Sequence, residues 1–423
     1  MSTRRVAITG VAVISAAGGD KEEFWNAINT ANSHVKKLSR FSPHRNGTTP
    51  CEVAAEISRF AINQFTQSKI KKFMDRAGAY AVAAAIDCLK DAHFGPDNSS
   101  YESLEIYLGS CCGAQEWVEK EFSRVGDVKI ESLHPHTSVL AHPGNVIGLV
   151  TIILGIRGRG ILLSNLDLAG MDALDCAVRR IQSNLSQRIL VGAADAPITP
   201  LLFGVFEEAG LLSHCNDDPA RASRPFDRNR DGLVLGEGAV MLMVEDYEEA
   251  LRRKARIYAE VLSCASTFEY RMNGDMPFAS QVAQGRQSIS LALKKAGIQP
   301  EMIDYIHADG SSLPELDKVE AGILQEAFGS AISSIPVSST KAVTGHALSV
   351  SGLFQSAACA LLYERNTYPP LGNFEHPDPD CALNFVLGSS QACSPNLVLQ
   401  HTHSVLQHHN TAVVFKKPSE AIQ

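Results

Sequence analysis

The 423-residue chain holds ten cysteines, at 51, 88, 111, 112, 176, 215, 264, 359, 381 and 393, and no CxxC pair among them. Scattered cysteines in apolar context, such as Cys88 in AAAIDCLK and Cys359 in SAACALL, read as reduced core thiols of a reducing compartment. No apolar run reaches the roughly 20 residues that a bilayer-spanning helix needs. The longest candidate, NVIGLVTIILGIRGRG, is cut off by Arg157 and Arg159. The first segment, RVAITGVAVIS, is rich in β-branched residues and has no cleavage signature, which makes it a first strand rather than a signal peptide. A cytoplasmic, soluble protein is expected, with no membrane partner. Positive charge is also in short supply: 38 Lys and Arg against 46 Asp and Glu leave a net charge of −8. That balance excludes a general nucleic-acid binder, and the basic stretches Lys69–Lys72 and Arg252–Arg256 read as solvated helix faces. Short-period repeats and low-complexity tracts are missing as well.

What is present is alternation. Strand-like runs (RVAITGVAVI, LEIYLGS, RILVGAADA, GAVMLMVED, ARIYAEVLSCAS) are interleaved with helical patterns such as DRAGAYAVAAAIDCLKDA and MDALDCAVRRIQS. The rhythm repeats after residue 250, through the helix ASQVAQGRQSISLALKKAG, the strand IDYIHADG, the helix PELDKVEAGILQEAFG and the strand IPVSSTK. This pattern predicts an α/β fold. The length exceeds a single core, so two halves are expected, 1–250 and 251–423.

Some signals carry no chemistry. DRNRDGLVLGEG has calcium-loop residues at Asp227, Asn229, Asp231 and Gly232, but its twelfth position is Gly238 where a bidentate Glu is required. It predicts a tight polar turn. The histidines at 134, 136 and 142, and at 401, 403, 408 and 409, have neither companion cysteines nor HExxH spacing, so neither a metal site nor a cofactor is expected. Three turns are different. GRGILLSNLDLAGMDAL (158–174) runs from a buried strand through a polar turn into a helix, and it presents Asp167 where many α/β enzymes hold a nucleophile. YIHADGSS (305–312) and VSSTKAVTGHALSVSG (337–352) place Asp309, Lys341 and His346 at strand C-termini, where α/β sites are built.

These landmarks resemble the β-ketoacyl synthases of the thiolase superfamily, from Arg5 nearly to Lys417. RVAITGVAVIS, DRAGAYAVAAA, GAADAPITPLLFGVFEEAGLLS, DDPARASRPFDRNRDGLVLGEGAVMLMVED and SSTKAVTGHALSVSG carry the likeness. The resemblance implies a thiolase-like duplicated fold, stacked in five layers α-β-α-β-α and working as a dimer. Family members condense acyl chains with one cysteine and two histidines. The cysteine position of STACxxG is here Asp167, and the first histidine position of NAHGT is Asp309, with His307 two residues earlier. The glycine-rich GFGGxN is replaced by VLQHHN (405–410), while His346, Lys341 and Glu320 keep the family pattern.

The departures imply a degenerate site: Asp167 cannot form a thioester, and no catalytic set is intact. At a helix N-terminus Asp167 is expected to cap its helix and to stay ionised, repelling a malonyl carboxylate. The resemblance narrows to the chain length factors, the non-condensing ketosynthase β subunits of type II polyketide synthases. Those subunits commonly carry Gln at the cysteine position, so Asp marks a divergent branch. Such a subunit pairs as a heterodimer with a catalytic ketosynthase α subunit, serves an acyl carrier protein, and helps set polyketide chain length. The helix after the family's GSxxGG-like turn lines the product tunnel, which makes Gln115, Val118 and Phe122 the tunnel candidates here. Two alternatives stay open: a self-sufficient acyl-thioester hydrolase using Asp167, Asp309 and His346, and a subunit that decarboxylates malonyl carrier protein for priming.

Overall fold

Apolar residues at nearly every position of Val6–Ser15 make a strand that is buried along its whole length, the pattern of a strand covered on both faces. A computed structural model describes residues 4–43, 49–95, 101, 103–127, 134–268, 278–407 and 409–419. Its main strands are β1 (Val6–Ser15), β2 (Glu105–Gly109), β3 (Gly160–Leu163), β4 (Arg188–Asp195), β5 (Gly238–Asp246), β6 (Ala259–Phe268), β7 (Tyr305–His307), β8 (Val337–Ser338), β9 (Leu397–His403) and β10 (His409–Lys416). Hydrogen bonding orders them β8-β7-β9-β10-β6-β1-β5-β4-β2-β3.

The order contains a duplication. From β1 outward, β5 and then β4 pair antiparallel, and β2 and β3 follow in parallel. From β6 outward, β10 and then β9 pair antiparallel, and β7 and β8 follow in parallel. The halves meet where β1 pairs antiparallel with β6 through Ala7–Glu260 and Ile8–Ala259. This is the thiolase-like α/β fold expected from the sequence.

Helices fill the layers according to their apolar surface. The helices used below are α1 (Arg76–Asp91), α2 (Gln115–Asp127), α3 (Ala169–Gln182), α4 (Phe278–Ala296), α5 (Pro314–Phe328) and α6 (Ser351–Arg365). α6 is buried from Ser351 to Tyr363 on every side, as a helix clasped between two layers must be. It shares one apolar core with α3, β1 and β5. α1 covers the outer face of β1 and β5, and α4 covers the outer face of β6 and β10, with α5 packed beside it. By this topology the C-terminal ends of β2, β3 and β4 and those of β7, β8 and β9 supply the loops of the site, as the rule for parallel strands predicts.

Close backbone contact fixes the two halves at that point. A Cβ on Gly170, in the first turn of α3, would lie 2.3 Å from the carbonyl oxygen of Ser349 and 3.0 Å from Ala193 Cβ. Gly170→Ala is therefore expected to cost about 1–3 kcal/mol, the usual range for overpacking. Urea unfolding measures it, and an unchanged midpoint would contradict the close approach.

Candidate functional site

The residue before Asp167 is bent out of the ordinary range. Leu166 has φ +48, and Leu348, two residues after His346, has the same value. Left-handed leucines are costly, and such strain collects at functional sites. The turn buries the Asp167 side chain, which is 2% exposed. Its Oδ1 accepts a 2.5 Å hydrogen bond from Ser404 Oγ, and its Oδ2 accepts one of 2.7 Å from the Val405 N–H. Ser404 Oγ in turn accepts the N–H groups of Leu406 and Gln407. Asp167 thus pins the loop between β9 and β10, rather than capping its own helix as the sequence led us to expect. α3 begins without a side-chain cap.

Burial raises the Asp167 carboxyl above its ordinary value, against the bonds from Ser404 and Val405 and the charge of Lys341. Desolvation therefore works against the helix terminus, which offers at most ~2 kcal/mol to a charge.

His346 approaches from the other half, with Nε2 3.9 Å from Asp167 Oδ2. Its Nδ1 accepts the Leu348 N–H at 3.2 Å, so the neutral ring carries its proton on Nε2, facing Asp167. Burial, with Lys341 close by, holds His346 well below the usual histidine range.

The first-histidine position makes a different arrangement. Asp309 Oδ2 meets Lys341 Nζ at 2.5 Å, with both side chains almost wholly buried. Gln355 Nε2 bonds the Ala308 carbonyl at 3.0 Å and reaches Asp309 Oδ1 at 3.4 Å. Glu320 accepts the N–H groups of Asp309 and Gly310 at 2.7 and 2.8 Å, and its Oε1 lies 2.8 Å from His401 Nδ1. Burial alone would lift Glu320; His401 and the two N–H groups hold it below the ordinary value. His307 makes no hydrogen bond to this set, and its Nδ1 meets the Ser338 carbonyl at 3.1 Å.

The four sequence candidates therefore gather around Lys341, whose charge acts on Asp167, Asp309 and His346. Direct contacts divide them into two pairs, Asp167 with His346 and Asp309 with Lys341. His408 lies outside the described residues, and among those described no cluster of three or more His, Cys, Asp or Glu is placed to hold a metal ion. The calcium-like residues serve turns: Asp227 accepts the N–H groups of Asn229, Glu375 and His376.

One functional residue escaped the sequence reading. Asp195, at the end of β4, accepts Ser110 Oγ and the N–H groups of Cys111 and Cys112, while its other oxygen accepts the N–H and Oγ of Ser349. It ties the start of α2 to the loop of His346. On α2 itself, Gln115 and Val118 are half-buried. Phe122 is 69% exposed, and the buried member of that turn is Glu121.

Comparison with known proteins gives the family of the chain. The descriptions "Beta-ketoacyl synthase, N-terminal domain" and "Beta-ketoacyl synthase, C-terminal domain" match residues 3–250 and 258–375. The chain belongs to the β-ketoacyl synthase family. It is 32% identical over 418 residues to 3-oxoacyl-(acyl-carrier-protein) synthase 2 of Synechocystis sp., covering 99% of both chains. It is also 32% identical to the tetracenomycin polyketide synthase ketoacyl synthase alpha subunit of Streptomyces glaucescens, covering 90% of each. A solved structure, the ishigamide ketosynthase/chain length factor, superimposes with a TM-score of 0.90 at 26% identity, over 99% of this chain and all of that one. No helix among the described residues is long and apolar enough to cross a membrane.

The Asp309 carboxyl is pushed up to about 7, chiefly by burial, against the pull of Lys341 and with Glu320 adding to the rise. In the unfolded chain it titrates near ~3.9. Between these values the folded state keeps a proton that the unfolded chain has lost, so this group's contribution falls as pH rises and levels off above about 7. The stability of the wild type relative to Asp309→Asn is expected to decline from about pH 5 to about pH 8, read by urea unfolding at both. A difference that stays constant would mean that Asp309 does not titrate in this window.

Proposed function

We propose that this β-ketoacyl synthase family member is a non-condensing subunit, which pairs with a catalytic ketosynthase and helps set chain length in type II polyketide biosynthesis. The observation that carries the reading is Asp167. A buried carboxylate, hydrogen-bonded to Ser404 and Val405, occupies the position where the family presents its acyl-accepting thiol. A carboxylate cannot hold an exchangeable thioester, and nothing at the turn replaces it. The first histidine is also gone, and Asp309 is committed to Lys341. Loss of one member of a cooperating catalytic set already costs orders of magnitude.

The chain's surface supports a partner of similar fold. The edge strand β3 is only half-covered, and an edge of this kind is a template for pairing with another chain. Near it in sequence, Ile152 is 64% exposed, and Phe122 on α2 is exposed as well. Likeness to the ishigamide ketosynthase/chain length factor and to a polyketide synthase alpha subunit favours a ketosynthase as that partner. An acyl carrier protein is the substrate carrier such a complex serves. In this arrangement Gln115, Val118 and Phe122 face the growing chain.

Co-expression with a ketosynthase that retains its cysteine and both histidines tests this. The two chains are expected to co-purify, and the isolated chain to release no condensed product from acyl and malonyl carrier proteins. Val118→Phe in the complex is expected to shift the product to shorter chains by mass spectrometry. Condensation by the isolated chain would overturn the reading, and an unchanged product length would remove Val118 from the tunnel.

A further inference from the structure

Two cysteines that condensation chemistry leaves unused stand side by side at the edge where the site is built. Cys111 and Cys112 are the one adjacent pair among the ten. They follow β2 in the turn that opens α2, the position the duplication matches to Asp309 and Gly310 after β7. Both thiols are free and half-buried. They pack against the apolar cluster that contains Leu348, beside His346, and that Val405 and Leu406 of the Asp167-bound loop also touch.

Adjacent side chains on an extended backbone point to opposite faces. This turn brings them together instead. The N–H groups of both cysteines converge on the Asp195 carboxylate, Gly113 closes the turn at φ +57, and the neighbouring Cys111 thiol is the strongest influence raising the Cys112 thiol above its ordinary range.

We propose that Cys111 and Cys112 form a reversible dithiol–disulfide couple, a modification site for small-molecule disulfides and for thiophilic two-point ligands such as trivalent arsenicals. With glutathione disulfide, the Cys111 thiolate attacks one sulfur, forms a mixed disulfide and releases one glutathione thiolate. The deprotonated Cys112 then attacks Cys111 Sγ, closes the internal S–S bond and releases the second. The protein gives up two protons and two electrons, and the small disulfide is reduced to two thiols. Cys112 is held protonated by its contact with Cys111 and by burial, which makes Cys111 the entry thiol. Neighbouring Cα atoms stand about 3.8 Å apart, shorter than the ~4.4–6.8 Å span of ordinary disulfides. The closed ring is therefore strained and readily reduced. Closure also pulls on the N–H groups that Asp195 links to Ser349 in the His346 loop.

The inference stands apart from the subunit reading, because its test reads only the thiols. The purified full chain is treated with glutathione disulfide, and the peptide carrying residues 111 and 112 is weighed. That peptide is expected to lose two hydrogens in mass and to regain them with dithiothreitol. In native protein, phenylarsine oxide is expected to protect both thiols from alkylation, and to lose that protection in Cys111→Ser and in Cys112→Ser. An unchanged peptide, two separate glutathione adducts on it, or arsenical protection surviving in the serine variants would overturn the couple. The mass shift is read in the wild-type chain, so the result does not depend on how the variants fold.

Discussion

The buried contact between Asp309 and the Lys341 ammonium is the constraint around which the site is arranged. Both side chains are about 2% exposed, and a charge so far from water persists only beside a compensating one. Removing one partner of such a pair typically costs about 3–5 kcal/mol, because the other is left buried and uncompensated. Lys341 therefore stays where Asp309 holds it, at the start of the turn that leads to His346. Burial and the same ammonium hold His346 well below the usual histidine range, and the ammonium offsets part of the cost of burying Asp167. By holding Lys341 in place, Asp309 bears on the electrostatics of both.

Asp167 acts by hydrogen bonding where Asp309 acts by charge. The segment 405–410, VLQHHN, holds no glycine and so lacks the conformational freedom that glycine gives a turn. The loop needs another anchor, and the Asp167–Ser404 contact supplies it. Ser404 passes the constraint to the N–H groups of Leu406 and Gln407. Asp167 and the glycine-free loop are thus joined in one contact between the halves. A cysteine placed at position 167 would leave Ser404 Oγ and Val405 N–H without their acceptor.

The turns after β3, β7 and β8 were legible in the sequence because strand alternation and turn residues mark where parallel strands end. Asp167, Asp309, Lys341 and His346 stand there. The partners of those residues were not legible. Ser404 reaches Asp167, His401 reaches Glu320, and Ser349 reaches Asp195 across separations of 237, 81 and 154 residues, and no local pattern encodes such contacts. The upward shift of the Asp167 carboxyl was not legible for a related reason. Its place at a helix start can be seen in the chain, whereas its complete burial, the chief cause of the shift, exists only once the two halves meet. On α2 the spacing of Gln115, Val118 and Phe122 was legible, but their unequal burial was not: Phe122 is exposed where Gln115 and Val118 are half-buried.

The duplication gives these observations a common logic. Loops after β2, β3 and β4 face loops after β7, β8 and β9, so each half meets the polar groups of the other. In a working synthase, some of those groups must remain unsatisfied until substrate arrives, which costs stability. In this chain Asp167 is satisfied by Ser404 and Val405, Asp309 by Lys341, Glu320 by His401, and Asp195 by Ser110 and Ser349. The carboxyl groups of the site thus close on partners within the chain, while His307 Nε2 and His401 Nε2 stay buried without a hydrogen-bond partner beside them. The polar groups left open here are imidazoles, and the acidic ones are already engaged.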